Sequence, residues 1–141
     1  VVIVGKQKLR RGSASTFEYN CLIHSLAQVL NVPSDEAQLS EVRAALNIQF
    51  GDASLHVDAL AGDLSFLDPY SHLQFIVEQL ARMFPDMGLV YEDYTFFVVG
   101  LRDEGNHEHM PGDYFGNGPN RVYIGNENGL HYVPLHPVVD E

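Results

Sequence analysis

The sequence has a single cysteine in 141 residues, Cys21. That excludes an intramolecular disulfide and any zinc finger built on paired thiolates. It has no apolar run near the roughly 20 residues that a membrane-spanning helix needs. Basic residues are few: eight Lys and Arg stand against 19 Asp and Glu, for a formal charge of −11. Lys6, Lys8, Arg10 and Arg11 precede the first acidic residue, and beyond them only Arg43, Arg82, Arg102 and Arg121 are basic. The body of the chain is therefore strongly acidic and repels phosphate, so nucleic acid is not an expected partner. Such a surface suits a cationic protein or peptide, through steering more than affinity, and it also serves solubility alone. There is no internal repeat and no low-complexity tract.

What is present is an ordinary globular composition, 45% hydrophobic and 19% charged. The length bounds a single domain over residues 1–141 that can bury its own core, with residues 1–12 read as a basic arm or an edge strand. The chain opens on Val1 rather than Met, which reads as a processed chain or a module of a longer protein. Val1 to Val4 is too short for the apolar part of a signal peptide, and a signal removed earlier would leave no trace.

Gly12 to Thr16 is small and polar and reads as a loop. From Cys21 to Leu30 the apolar residues cover more than one helical face, which predicts a buried helix that Asn31 and Pro33 end. Ser34 is the expected N-cap of a second helix, with Asp35 and Glu36 in its first turn, running to about Asn47. Residues 54–67 read as a short helix with a loop. Asp68-Pro69 reads as N-cap and first turn of a third helix, to about Phe84, with Leu73, Ile76, Val77, Leu80 and Phe84 on its inner face. After Pro85, Leu89-Val90-Tyr91 and Thr95 to Leu101 are β-branched and aromatic and predict strands. Residues 102–120 read as a long loop. Arg121 to Gly125 and Leu130 to Leu135 form a hairpin around Asn126-Glu127-Asn128-Gly129. Helices first and strands after predict an α+β fold, with the helices, the Cys-bearing one included, packed on a small, mostly antiparallel sheet.

Cys21 opens an apolar helix. Free cysteines are often small buried hydrophobes, but a thiol at a helix N-terminus meets the positive end of the dipole and unpaired amides, which favour the thiolate and can stabilise an oxyanion. A cysteine nucleophile needs a base. His24 lies one turn further along the same helix and would point along its side. His131 lies in the last strand, where alternation puts it on one face with Val133, and Leu130 and Tyr132 on the other. A distant histidine brought beside a helix-borne cysteine is the papain-like arrangement.

Glu18-Tyr19-Asn20-Cys21-Leu22-Ile23-His24-Ser25-Leu26-Ala27 resembles the Asp-Gly-Asn-Cys-Leu/Phe-x-x-Ser-Leu-Ala signature of the ovarian-tumour (OTU) cysteine proteases. Leu130-His131-Tyr132-Val133-Pro134-Leu135 resembles the closing strand of that family, which carries a histidine followed by an aromatic. The order also matches, with cysteine early, three helices, strands, and histidine last. The resemblance spans about residues 15–137, and its specific motifs cover fewer than about 20 of them.

The resemblance implies a papain-like OTU fold and hydrolysis of the isopeptide or peptide bond at the C-terminus of ubiquitin or a ubiquitin-like protein. Cys21 would be the nucleophile, and His131 the general base and then the acid for the leaving amine. Backbone amides around Glu18, Tyr19 and Asn20 would form the oxyanion hole. It implies ubiquitin or a relative as partner, no cofactor, no metal and a monomer. The basic ubiquitin tail is compatible with the acidic balance here. Divergence from the commoner eukaryotic pattern suggests a bacterial effector or toxin domain acting in the cytosol of a host cell.

Two departures bear on mechanism. Glu18-Tyr19 stands where the family has Asp-Gly, and tyrosine adopts positive φ less readily than glycine. Val133 stands where many members carry an Asp or Asn that orients the imidazole. The replacement candidates are Glu18 first, then Thr16, Ser15, Ser13, Asn126 and Asn128, and a Cys–His dyad is also open because a thiol needs less activation than a hydroxyl. The rival readings are a ubiquitin-binding module without catalysis, another acyl chemistry such as deamidation or an unrelated peptidase, and a domain in which Cys21 is merely buried. His107-Glu108-His109 reads as a solvated loop rather than a metal site. Gly116-Asn117-Gly118-Pro119-Asn120 reads as turn chemistry, and Asp52, Asp58 and Asp63 do not fit a calcium loop.

Overall fold

The computed structural model describes residues 2–14, 20–33, 35–50, 56–57, 65–67, 69–101, 107–109, 112–127 and 131–138. Helix α1 is Cys21–Val29, with six of its nine residues buried. It ends as the sequence predicts. Asn31 takes a positive φ of 59°. The Asn31 amide donates to the Gln28 carbonyl and the Val32 amide to the Ala27 carbonyl. This is the paired C-terminal bonding of a Schellman motif with asparagine in the left-handed position.

Helix α2 is Glu36–Phe50. Its N-cap is Asp35 and not Ser34, which lies outside the described residues. The Asp35 amide donates to Gln38 Oε1 and the Gln38 amide donates to Asp35 Oδ1. That reciprocal capping box fixes the start of the helix one residue later than predicted. Leu39, Val42 and Leu46 form its buried stripe, and it runs a few residues past Asn47. Helix α3 is Pro69–Met83, with Leu73, Ile76, Val77 and Leu80 buried at the predicted spacing. Gly88, at φ 64°, closes the short 3-10 turn Pro85–Met87 that follows.

The N-terminal residues are not an arm. Strands β1 (Val2–Val4) and β2 (Gln7–Arg11) form a hairpin. Its two-residue turn puts Gly5 at φ 58°, the sign that tight hairpin turns require. Val2, Val4 and Leu9 are buried, so the apolar alternation outweighs the basic residues on the other side. Strands β3 (His56–Val57) and β4 (Ser65–Phe66) pair as a short hairpin where a short helix was expected.

The remaining strands are β5 (Tyr94–Leu101), β6 (His107–His109), β7 (Asp113–Phe115), β8 (Asn120–Glu127) and β9 (His131–Pro137). The main sheet has the order β6-β1-β2-β9-β8-β5-β7. It is mostly antiparallel, with β5–β8 and β1–β6 parallel. The fold is thus α+β, with the helices packed on a mostly antiparallel sheet. Two predictions fail here. Leu89-Val90-Tyr91 is not a strand; Val90 is exposed and Tyr91–Asp93 is a 3-10 turn. The segment 102–120 is not one loop, because β6 and β7 form the two edges of the sheet. Edge strands tolerate polar residues on the solvent face, which weakens their pattern.

Both faces of the sheet are buried. Phe96, Val98, Ile124 and Tyr132 join the three helices in one cluster. Val99, Leu101, Tyr123, Val133 and Leu135 join Val2, Val4 and Leu9 in a second. Val2 and Leu101 lie on strands separated by three others yet share that cluster, so the sheet curls on itself.

Gly118 locks the start of β5 against β8. Its amide donates to the Tyr94 carbonyl, and its own carbonyl accepts from Thr95 Oγ1 at 2.7 Å. A Cβ there would fall on the Asp93–Tyr94 backbone. Gly118→Ala is expected to destabilise the domain by about 1–3 kcal/mol, seen as a lower urea midpoint at unchanged slope. A midpoint at or above wild type would contradict this packing.

Candidate active site

Helix α1 packs on β9 and β8 on one side and on α2 and α3 on the other. Its last residue Val29, with Asn31, shares a cavity wall with Leu135, His136 and Pro137 at the end of β9. Helix and strand therefore run side by side in the same sense.

Cys21 is the first residue of α1 and keeps 7% exposure, while Asn20, Leu22 and Ile23 have none. Cys21 is a buried member of the apolar cluster that the three helices share with the sheet. The first helical bond runs from the His24 amide to the Asn20 carbonyl, 2.9 Å, so the amides of Cys21, Leu22 and Ile23 lie outside the helical pattern. Asn20 occupies the N-cap position without capping. Its Oδ1 instead accepts a 2.9 Å hydrogen bond from Arg43 Nε.

Arg43 has no counterpart among the site residues expected from the sequence. It is 4% exposed, on the inner face of α2, four residues after Leu39 and three before Leu46. A cation on an apolar helical stripe was the available signal.

His131 opens β9, half-buried, opposite Glu127 of β8. The predicted alternation holds: Tyr132 lies in the cluster that contains Cys21, and Val133 lies in the other. His131 shares the pleat side of Val133, opposite the side on which Tyr132 joins the cluster that contains Cys21. Val133 is 2% exposed among apolar side chains and holds no orienting group. Asn126 pairs with Tyr132 across the strands, and its buried Oδ1 has no partner among the described residues. Ser13 is exposed, and its carbonyl accepts from Gln28 Nε2 at 2.7 Å, at the opposite end of α1 from Cys21. Glu18, Tyr19, Ser15, Thr16 and Asn128 lie outside the described residues.

His24 is half-buried, and burial lowers its pKa below 6.5. His136, opposite Arg10, is lowered from 6.5 by burial and then by the Arg10 charge. Both native imidazoles resist a proton that the unfolded chain accepts. Stability is therefore expected to fall as pH drops below about 6.5, with no contribution from these groups well above it. His136→Gln should flatten the decline in denaturation midpoint between about pH 7.5 and 5.5; an equally steep decline would remove His136 from this role.

Among the described residues, no group of His, Cys, Asp and Glu is placed to hold a metal ion, and no helix is long and apolar enough to cross a membrane. The residues His107–His109 form an edge strand parallel to β1 rather than part of a loop.

No protein-family model matches the chain, and no curated protein matches it. The chain is similar to a solved structure described as the Hazara virus OTU bound to ubiquitin. The similarity covers 94% of this chain and 82% of that one, at 20% identity and a TM-score of 0.44. At that level the functional reading rests on this chain's own residues.

Proposed function

We propose that the chain is an OTU-like cysteine protease that hydrolyses the bond at the C-terminus of ubiquitin or a ubiquitin-like protein. The observation that supports the reading is the packing of α1, whose first residue is Cys21, on β9, whose first residue is His131. The motif flanking each residue points to the same chemistry.

In the proposed reaction His131 takes the thiol proton as the Cys21 sulfur attacks the carbonyl carbon. The oxyanion is received by backbone amides in the Glu18–Cys21 stretch, Asn20 included. Collapse breaks the C–N bond, and the imidazolium gives its proton to the departing amine. Water, deprotonated by His131, then attacks the thioester, and the product carboxylate leaves as the thiol reforms.

Val133 cannot orient the imidazole, so that task falls to Glu18. Asn126, with its unpartnered Oδ1, is the second candidate. Glu18→Gln tests the first, and unchanged kinetics would remove Glu18 from the role. The setting proposed for the activity is the cytosol of a host cell, reached as part of a larger effector or toxin.

Ubiquitin bearing a fluorophore in amide linkage at its C-terminus is the direct assay. The reading expects release of the fluorophore. Val133 favours one rival, a ubiquitin-binding module without turnover, which expects saturable binding and no release.

A further inference from the structure

We infer that Arg43 is a positioning residue for the reaction at Cys21, acting through Asn20; the inference rests on the cysteine-protease reading above. An asparagine at an N-cap ordinarily turns its side chain back to accept from an amide in the first turn of its own helix. Asn20 does not. Its Oδ1 is bonded to Arg43 Nε across the interface between α1 and α2, and the first-turn amides beside Cys21 are left unspent by that side chain. A developing negative charge at the sulfur end of α1 finds those amides available.

The contact is poorly explained as a stability device alone. A guanidinium on the inner stripe of α2 is desolvated, and burying an ion is less favourable than burying an apolar side chain of similar volume. Leu39, Val42 and Leu46 show what that stripe otherwise contains. Asn20 is also fully buried, and its Nδ2 has no hydrogen-bond partner among the described residues. A buried guanidinium and an unpartnered buried amide nitrogen thus meet at the residue immediately before the sole cysteine. Buried polar groups that remain incompletely satisfied call for a specific account. Here it is that Oδ1 is held by a charge-assisted bond, fixing the backbone dihedrals at Asn20 and so the direction of the Cys21 amide and side chain. A short side chain anchored to a neighbouring helix does this more rigidly than a local cap, and reactions of this kind are sensitive to displacements of about 1 Å.

The test compares wild type, Arg43→Met, Arg43→Lys and Asn20→Ser on ubiquitin with a C-terminal fluorophore amide. Thermal midpoints and iodoacetamide labelling of Cys21 are measured alongside. At a temperature where each variant is folded, Arg43→Met is expected to lose about 10²-fold in kcat with KM within about threefold of wild type. Arg43→Lys, which keeps a buried donor, should recover part of the loss. Iodoacetamide needs no oxyanion hole, so its labelling should persist in all variants. If Arg43→Met does not fold, Asn20→Ser carries the same expectation, since serine is too short to reach the guanidinium. A folded Arg43→Met or Asn20→Ser with wild-type kcat overturns the inference and leaves the protease reading intact. Wild type without turnover overturns the reading and the inference together.

Discussion

Cys21→Ala is expected to abolish turnover on ubiquitin substrates, with kcat falling by at least about 10³-fold, because no other thiol exists in the chain and removal of a nucleophile leaves only binding and oxyanion contributions. The fold should survive. Cys21 is a small buried residue at the start of α1, so alanine leaves little void, and alanine is the strongest helix former. Far-ultraviolet circular dichroism and the thermal midpoint check this directly. A folded Cys21→Ala protein with wild-type kcat would remove the nucleophile assignment altogether.

The second large effect is expected at His131. His131→Ala should lower kcat by about 10²–10⁴-fold, the usual contribution of a positioned acid–base group. The residue is half-buried and opens β9, so truncation leaves no large cavity and the stability change should be small. Labelling of Cys21 by iodoacetamide at high pH should persist in this variant. Loss of turnover with retained labelling separates a missing base from a misfolded domain. Full activity in His131→Ala would move the base elsewhere, and half-buried His24 on the same helix would be examined next.

These two residues were legible in the sequence for different reasons. Cys21 stands at the junction between a polar stretch and a helix whose apolar residues cover several faces, and that junction is where the structure starts α1. His131 lies in an alternating segment next to a turn-rich stretch, which made the closing hairpin readable, and β8 and β9 pair as expected. The third helix was legible from Pro69 and from the spacing of Leu73, Ile76, Val77 and Leu80.

What the sequence hid has physical causes. At the N-terminus the basic residues left an arm and a strand both open, and the burial of Val2, Val4 and Leu9 goes with the strand. The edge strands β6 and β7 carry polar residues and owe their extended form to pairing with β1 and β5; such tertiary partners are invisible to local propensity. The start of α2 shifted because Asp35 and Gln38 satisfy each other's amides, a bond that composition does not rank against a Ser34 cap. The bond from Arg43 to Asn20 joins residues 23 positions apart, and only the packing of α2 against α1 brings them together.

The proposed activity requires that Cys21 be a nucleophile directed at the ubiquitin C-terminus. The most direct measurement mixes a ubiquitin probe bearing a thiol-reactive group at its C-terminus with wild type and with Cys21→Ala, read by intact mass. Wild type is expected to gain the mass of one ubiquitin probe, with the adduct mapping to Cys21, and the variant to gain nothing. Wild type that remains unmodified by the probe while iodoacetamide still alkylates Cys21 would contradict the substrate assignment. Inertness of Cys21 to both reagents would contradict the catalytic assignment itself.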